Sequence, residues 1–196
     1  MKMVTAFTDR ERDIIRSQLK TAAGEYASTI GMRKTTVDQL AARAGISKGA
    51  FYKFYDSKEM LFFEVVEDWL NELYNRAWEV MQNNADSNDR ERMAKSLLEV
   101  CRVVQEYSLM DFYENDVPYI VRKIPQEILQ AHYHSHAVQI KEFIRHSDIN
   151  LKVSLEVAAA VVHSLTLTLS HWREIGENYP QVLEILIHGA CDQIVQ

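Results

Sequence analysis

A short stretch of the chain, residues 47–58, places hydrogen-bond donors around a surface that is almost free of side-chain bulk. Gly49 and Ala50 supply the small surface. A helix end of this kind can enter a DNA major groove and bring its backbone close to the base edges. The donors at its border are of the type that binds phosphate: Lys48, Tyr52, Lys53 and Lys58. We therefore predict a DNA-contacting surface in this stretch.

Two short helices joined by a tight turn are predicted to position this surface. Apolar residues fall at i, i+3, i+4 and i+7, the stripe of a short amphipathic helix: Val37, Leu40, Ala41 and Ala44. Thr36 precedes the stripe and Gln39 follows three residues later, which is a capping-box start. Gly45 can end this helix in the left-handed conformation. Ser47 is a good N-cap for the second helix. The pattern is that of a helix-turn-helix.

Residues 31–64 resemble the DNA-binding domain of the tetracycline-repressor (TetR) family of bacterial transcription regulators. The family pattern has a Thr-Thr-Val start and an Ala-x-x-Ala-Gly-Val/Ile-Ser turn. A short helix with a Tyr, a second aromatic residue and Ser-Lys-Glu completes it. The matching residues are Thr35 to Val37, Ala41, Ala44 to Ser47, Lys48 to Gly49, Tyr52, Tyr55 and Ser57 to Glu59.

The resemblance also implies a role for each matched position. Phe51 and Tyr55 would belong to the core, and the Tyr55 hydroxyl would need a hydrogen-bond partner there. The residues expected to hold phosphates are Thr36, Tyr52 and Lys58. The residues expected to face the operator are Ser47, Lys48, Ala50 and Lys53.

Charge is distributed unevenly along the chain of 196 residues, whose net charge is −6. Residues 1–60 carry 11 Lys and Arg against 7 Asp and Glu, a net charge of +4. Residues 61–196 carry 11 against 21, a net charge of −10. The acidic remainder argues against non-specific binding of polyanions, whereas the basic segment coincides with the predicted DNA-contacting surface.

Composition and helix signals predict an all-α protein of about nine helices. The chain has only 6 Gly and 3 Pro beside 47% hydrophobic residues. Thr8 with Glu11 predicts the start of a first helix. Asp56 and Ser57 predict the start of a fourth helix, which would run to about Asn83. We predict a three-helix DNA-binding domain at 1–58, followed at 59–196 by a helical bundle, for which the resemblance implies effector binding and dimerisation.

Later helices are predicted from loops and prolines. The expected ranges are 90–107, 109–116, 125–146, 151–174 and 180–195. The fourth of these has no Asp, Glu, Lys or Arg between Val157 and Trp172, so we expect both of its sides to be covered and Asn150 to cap it. Residues 165–170 alternate like a strand, but the long apolar run favours a helix. Its Ser, Thr and His side chains exclude a membrane span.

The last predicted helix carries an apolar stripe suited to pairing with a second copy of the chain. Its residues are Leu183, Leu186, Ile187, Ala190 and Ile194. One short reading helix contacts too few bases for useful specificity, whereas a two-fold dimer reads two half-sites about 34–36 Å apart. The resemblance implies the same homodimer, with a four-helix interface built from the two C-terminal helices. Core packing within one chain is the alternative for each of these residues.

The resemblance further implies a small-molecule effector, of unknown identity, bound in the second domain. The candidate pocket residues are Trp78, Tyr107, Phe112, Tyr113, His163 and Trp172, with ordinary core packing as the alternative for each. The fourth helix would be the lever, since it leads directly from Lys58 into the second domain. An effector releases DNA only insofar as it binds the DNA-incompetent arrangement more tightly.

Other residue groups carry weaker signals. On a helix, His132 and His136 of the run His132–His134–His136 share one face at a spacing that suits a metal. No nearby carboxylate or Cys completes a site, so no metal is predicted. Cys101 and Cys191 lack metal-ligand spacing and are expected to be reduced and buried. We find no nucleophile elbow, phosphate loop or paired-carboxylate motif, and predict neither a cofactor nor an enzyme.

Two alternatives to an effector-responsive repressor stay open. The first is an enzyme on a helical bundle that binds a metal through the histidine run. The second is a helix-turn-helix protein that acts through partner proteins, as an activator or as an architectural factor. The expected partners are operator DNA, a second copy and a small molecule. The N-terminus lacks an apolar core of the signal-peptide type, so we expect a cytoplasmic protein without a membrane partner.

Overall fold

The computed structural model describes residues 7–106 and 109–196, without the side chains of residues 105, 106 and 170, and all of its described regular elements are helices. This confirms the predicted all-α class. The chain forms two compact units. The first unit contains the described residues up to Asp68 together with Asp116–Ile124. The second unit contains Trp69–Asn115 and Pro125–Gln196.

The first unit begins with α1 (Asp9–Ala27), which starts at the predicted capping box. The Thr8 hydroxyl accepts a hydrogen bond from the Glu11 amide at 3.3 Å, and the Glu11 carboxylate accepts one from the Thr8 amide at 2.7 Å. Its apolar face is buried at Ile15, Leu19, Ala22, Ala23 and Ala27. The two helices that follow are α2 (Val37–Arg43) and α3 (Lys48–Phe51).

Large apolar side chains fill the core of the first unit. Those without any exposed surface include Leu19, Met32, Leu40, Phe51, Leu61 and Phe62. They come from α1, from α2 and α3, from the loops between them and from the start of α4 (Lys58–Asn83). Burial of each such side chain stabilises the unit by roughly 1.5–3 kcal/mol before conformational entropy is counted. The core therefore holds α2 and α3 against α1 and α4.

Helix α4 has the predicted length and continues from the first unit into the second. The Ser57 hydroxyl accepts a hydrogen bond from the Met60 amide at 3.2 Å and so caps its first turn. Residues 84–88 form a loop, and α5 (Asp89–Glu106) follows it. The predicted domain boundary between residues 58 and 59 falls at the first residues of α4.

The second unit continues with α6 (Met110–Asn115), α8 (Gln126–His146), α9 (Leu155–Leu167), a 3-10 helix at Thr168–His171, α10 (Trp172–Ile175) and α11 (Tyr179–Ile194). Helix α11 packs against α5 and α9, and α8 packs against α9. The core between them contains Met81, Met93, Ile144, Ala158, Leu183 and Ile187. No helix among the described residues is long and apolar enough to cross a membrane.

The prediction of one long helix at 151–174 is wrong at both ends. Helix α9 starts at Leu155 with Ser154 as its N-cap, not Asn150. The backbone of residues 150–152 instead bonds to the end of the chain, with the Lys152 amide donating to the Ile194 carbonyl at 2.9 Å. Leu151 and Val195 form an isolated antiparallel bridge. These contacts keep residues 150–152 out of the helix, because their backbone groups bond to the last residues of the chain.

At its other end the segment leaves the α-helix at Leu167. The Thr166 hydroxyl donates to the His163 carbonyl at 2.8 Å, and the Thr168 hydroxyl donates to the Leu165 carbonyl at 2.7 Å. Hydroxyl groups that bond to the preceding turn compete with the backbone amides for those carbonyls. The alternating Thr residues thus mark the change from α to 3-10 geometry.

The sequence also missed a helix. Between the predicted helices at 109–116 and 125–146, residues Val117–Val121 form α7, which has Pro118 in its first turn. Proline is favoured there because that turn leaves its amides unpaired in any case. The predicted ranges assign no element to these residues.

Candidate nucleic-acid interface

Helix α2 has the capping box that its sequence predicts. The Thr36 hydroxyl accepts a hydrogen bond from the Gln39 amide at 3.2 Å, and the Gln39 side chain accepts one from the Thr36 amide at 2.8 Å. Leu40 and Ala41 are buried, so the apolar side of α2 faces the core. Thr36, at the N-terminus of α2, is exposed.

The turn between α2 and α3 depends on Gly45, whose φ is +67°. This left-handed conformation is costly for residues with a Cβ, and glycine adopts it readily. The Ile46 amide then donates to the Ala41 carbonyl at 3.0 Å, which closes the end of α2. The Ser47 hydroxyl accepts from the Ala50 amide at 3.2 Å and caps α3. The predicted helix-turn-helix geometry is present.

Helix α3 buries one side and leaves the other open. Phe51 is fully buried, whereas Lys48 and Gly49 are exposed and Ala50 is half-buried. A Cβ built on Gly49 would meet no atom within 4 Å, so the small surface is open to a partner. Tyr52 and Lys53 are exposed beside it. This is the arrangement of short side chains and flanking donors predicted from the sequence.

Two of the predicted lysines, Lys48 and Lys53, are exposed and make only weak contacts with other side chains. Lys48 Nζ pairs with Asp38 at 2.7 Å, and the hydrogen bond and charge of Asp38 raise the pKa of this ammonium. Lys53 Nζ lies 6.0 Å from the centre of the Phe7 ring. Exposed pairs of this kind contribute little to stability, so both ammonium groups can exchange their partners for phosphates.

Lys58 is in a different situation, because its ammonium contacts the loop between α1 and α2. Lys58 Nζ donates to the backbone carbonyls of Met32 at 2.8 Å, Arg33 at 3.2 Å and Thr35 at 2.6 Å. An ammonium has three hydrogens, and these three bonds use all of them. Contact with a phosphate would require Lys58 to give up at least one carbonyl. Its predicted phosphate contact stays a prediction.

Tyr55 is buried in the core, as the resemblance implied. Its hydroxyl finds no hydrogen-bond partner of normal geometry. Burial and the nearby Glu64 carboxylate raise the pKa of this phenol. The hydroxyl therefore stays protonated at neutral pH.

Three of the predicted pocket residues lie in one region of the second unit. Helix α6, which carries Phe112 and Tyr113, packs against the 3-10 helix that precedes Trp172. The Phe112 ring is 5.6 Å from that of Trp69 and 6.4 Å from that of Tyr113. The Tyr113 hydroxyl and Trp172 Nε1 are buried and have no hydrogen-bond partner. Trp69, on α4, also belongs to this region, and no prediction from the sequence named it.

The other predicted pocket residues have separate surroundings. Trp78 packs against Phe143 at a ring distance of 6.1 Å. The His163 ring lies 5.3 Å from that of His136. Tyr107 lies outside the described residues.

The histidine run contributes to a cluster with His163. The His132 and His136 rings are 6.1 Å apart. Burial, followed by the neighbouring His163 and His132, lowers the pKa of His136 to about 4, so this ring is uncharged at neutral pH. Among the residues that the structure describes, no three His, Cys, Asp or Glu side chains are placed to hold a metal ion. Cys101 is partly buried and Cys191 is buried, and both thiols are free.

Three of the five residues predicted for a dimer interface pack inside their own chain. Leu183, Ile187 and Ile194 are buried in the core of the second unit and cannot reach a partner. Leu186 is exposed and Ala190 is half-buried. Helix α11 has apolar residues on two adjacent faces, and their spacing alone does not tell which face turns inward. The exposed apolar side chain of α11 that the sequence missed is Ile185.

Comparison with known proteins agrees with this geometry. Residues 20–65 match the family model described as bacterial regulatory proteins, tetR family. The HTH-type transcriptional repressor KstR2 of Rhodococcus jostii is 28% identical over 107 residues, which cover 54% of this chain and 52% of KstR2. The HTH-type transcriptional activator FasR of Mycolicibacterium smegmatis is 31% identical over 83 residues, covering 42% of this chain and 38% of FasR. The chain thus spans about half the length or less of these two curated relatives.

The likeness extends further in three dimensions. The crystal structure of RolR in complex with resorcinol superposes with a TM-score of 0.63 at 16% identity. The superposition covers 93% of this chain and 89% of RolR. At this identity the likeness concerns the fold, and it includes the helices of the second unit as well as the helix-turn-helix.

The Lys58→Met variant distinguishes two roles of Lys58, anchoring of the α1–α2 loop and binding of phosphate. The change keeps the apolar stem and leaves three carbonyls without their donor, so we expect the free energy of unfolding to fall by roughly 1–3 kcal/mol. Binding to every DNA sequence should weaken as the loop loosens. The matched variant is Lys53→Met, which should leave stability unchanged and lower the salt dependence of DNA binding by about one counterion. Chemical denaturation and binding titrations at several salt concentrations measure both effects. A Lys58→Met protein of normal stability with a flatter salt dependence would mean that Lys58 acts on phosphate alone.

Proposed function

We propose that this chain, whose residues 20–65 match the family model of tetR bacterial regulatory proteins, is a homodimeric transcriptional repressor that a small-molecule effector releases from its operator. The observation that carries the proposal is the open surface of α3, capped by Ser47 and lined by Gly49 and Ala50. The net charge of +4 on residues 1–60 supports contact with DNA at this end of the molecule.

On DNA, α3 would lie in the major groove with its small surface against the base edges. Ser47, Lys48, Ala50 and Lys53 would face the operator. Thr36 and Tyr52 would donate hydrogen bonds to phosphates on either side of the groove. Lys48 would exchange its exposed partner Asp38 for DNA, at little cost in stability.

A second copy would bind through α9 and α11. These helices leave a stripe of apolar side chains exposed, with Ile185 at 71%, Leu167 at 57%, Val157 at 49% and Leu186 at 42%. Monomeric soluble proteins rarely expose contiguous apolar surface of this kind unless it binds a partner. A two-fold axis through the stripe would present two α3 helices to two half-sites of a palindromic operator.

The effector would bind in the second unit beside α6 and α10. The Tyr113 hydroxyl and Trp172 Nε1 are buried donors without acceptors, a state that costs about 1–3 kcal/mol each. Nearby Arg173 is already paired with Asp111 and with Glu114, the latter at 3.1 Å. The site therefore favours an uncharged molecule with an apolar body and hydrogen-bond acceptors. The complex of RolR with resorcinol, a neutral aromatic ligand, is compatible with this class.

Release would follow from the continuity of α4. This helix begins at Lys58, beside the loop that leads into α2, and continues into the second unit. An effector that binds better when α4 is displaced lowers the population of the DNA-binding arrangement. The size of the effect is limited by the difference between its affinities for the two arrangements.

The test of DNA recognition is selection of bound fragments from random and genomic DNA with the purified protein at near-physiological salt. We expect a palindromic site, because a two-fold dimer reads two copies of one half-site. The control variant is Ala50→Glu, which places a carboxylate on the surface that faces the bases. It should abolish operator binding and leave the dimer and its thermal unfolding nearly unchanged. A folded wild-type dimer that selects no sequence would contradict the proposed function. Unfolding of Ala50→Glu would show that Ala50 belongs to the core.

The dimer is tested by placing a charge on the exposed stripe. Ile185→Asp should convert the dimer to a monomer at micromolar concentration, because a carboxylate would be buried in an apolar interface. The matched variant is Ile128→Asp, which makes the same change on the exposed surface of α8 and should stay dimeric. Light scattering after size-exclusion chromatography gives both masses. A dimeric Ile185→Asp beside a monomeric Ile128→Asp would move the interface to α8.

The effector site is tested with a series of neutral phenols and cyclic ketones, beginning with resorcinol, added to the protein–operator complex. Compounds that release the wild-type protein should be about tenfold less potent on Tyr113→Phe, which lacks one hydrogen-bond donor and keeps the ring. Tyr133→Phe removes an exposed hydroxyl from the same unit and should respond as wild type. Equal potency on all three proteins would exclude the Tyr113 hydroxyl from the site.

A further inference from the structure

The loop between α1 and α2 is held by residues from two distant parts of the sequence. Lys58 bonds to its carbonyls, as described above. On the loop's amide side, the Arg33 N–H donates to the Asp116 carboxylate at 3.2 Å, and Arg33 Nε lies 3.6 Å from the same oxygen. The Arg33 carbonyl therefore accepts a hydrogen bond from Lys58, and the Arg33 amide donates one to Asp116.

Asp116 stands at the N-cap position of α7 but does not cap that helix with its side chain. An Asp at an N-cap normally accepts a hydrogen bond from the amide of the second or third helical residue. Here the carboxylate turns to the α1–α2 loop instead, and the side chain is only 7% exposed. A buried carboxylate is costly unless it is paired and hydrogen-bonded, and Arg33 supplies both kinds of contact.

The close approach of Asp116 requires a glycine at position 31. Gly31 has a φ of +79°, and a Cβ built on it would lie 2.6 Å from Asp116 Oδ2. A side chain at this position would meet both a strained backbone and a steric clash. The loop and the carboxylate thus fit each other closely.

Helix α7 brings Asp116 to this place and holds it there. Ile120 and Ile124 are buried, and residues Asp116–Ile124 belong to the same compact unit as α1, α2 and α3. The neighbours of this segment in the chain, α6 and α8, belong to the other unit. Asp116 follows the last residue of α6 directly, without a spacer.

We propose that Asp116 is a positioning residue for DNA recognition. It holds the α1–α2 loop, which ends at Thr36, the N-cap of α2 and a predicted phosphate contact. Because α6 leads directly into Asp116, the backbone connects the second unit to this contact as well as to the start of α4. This inference rests on the proposed function, since its readout is operator affinity.

The decisive variants are Asp116→Ala and Asp116→Asn, measured on the full-length protein with the selected operator. Asp116→Ala should weaken operator binding about tenfold or more, the effect of losing one charge-assisted hydrogen bond. The slope of affinity against salt should not change, because no phosphate contact is removed. Asp116→Asn keeps an acceptor for the Arg33 amide and should bind with intermediate affinity. The matched control is Asp86→Asn, an exposed carboxylate in the loop between α4 and α5, which should bind as wild type.

Hydrogen exchange distinguishes local loosening of the α1–α2 loop from a general loss of stability. In Asp116→Ala the amides of residues 31–36 should exchange faster, while those of Leu19 and Phe62 in the core keep their rates. A Gly31→Ala change should harm operator binding much more in the wild-type background than in Asp116→Ala, where the clash is relieved.

Each result decides the proposal. Wild-type operator affinity in Asp116→Ala, with faster exchange in the loop, would show that the loop position does not control recognition and would overturn it. Unchanged exchange would overturn it as well, because the loop would then not depend on Asp116. If the wild-type protein selects no DNA, the proposed function fails, and the exchange measurement still decides whether Asp116 holds the loop.

Discussion

The ammonium group of Lys58 donates to three backbone carbonyls of the α1–α2 loop, and the position of the reading helices depends on this contact. The loop has few side chains to hold it, apart from fully buried Met32 and the buried Thr35. Its backbone carbonyls must be satisfied where water is partly excluded. One cation at the start of α4 meets this need and joins the loop to the longest helix of the protein. Asp116 satisfies the opposite side of the same loop.

A helix as short as α3 has no stability of its own, since a single turn does not repay the entropy of its nucleation. It exists here because Ser47 caps its first turn, Gly45 allows the chain to enter it and Phe51 is buried in the core. With its stability supplied by these contacts, the outer surface of α3 is free to be small. The opposite arrangement, a long helix with bulky outer side chains, would not approach base edges as closely.

Helices α9 and α11 enclose the core of the second unit and also leave apolar side chains exposed. In α11, Leu183 and Ile187 enclose the core while Ile185 and Leu186 remain outside. In α9, Val162 is buried while Val157 and Leu167 are exposed. A helix with apolar residues around more than half of its circumference is stable in water only when a second surface covers the rest. Inside the unit, the buried donors of Tyr113 and Trp172 also need a partner. A polar group without one is destabilising unless a ligand or water satisfies it.

The sequence by itself determined the local elements of the first unit, because each depends on neighbours within a few residues. The capping boxes at Thr8 and Thr36, the glycine turn and the cap of α3 are all contacts of this short range. Only the tertiary structure decided which apolar face of α11 turns inward, where the segment after Asn150 becomes helical and which groups Lys58 bonds to. Those outcomes depend on residues far away in the chain, such as the bridge of Leu151 to Val195 and the contact of Arg33 with Asp116. Periodicity records only that a side chain is apolar or charged, and the partner that it meets is set by how the whole chain packs.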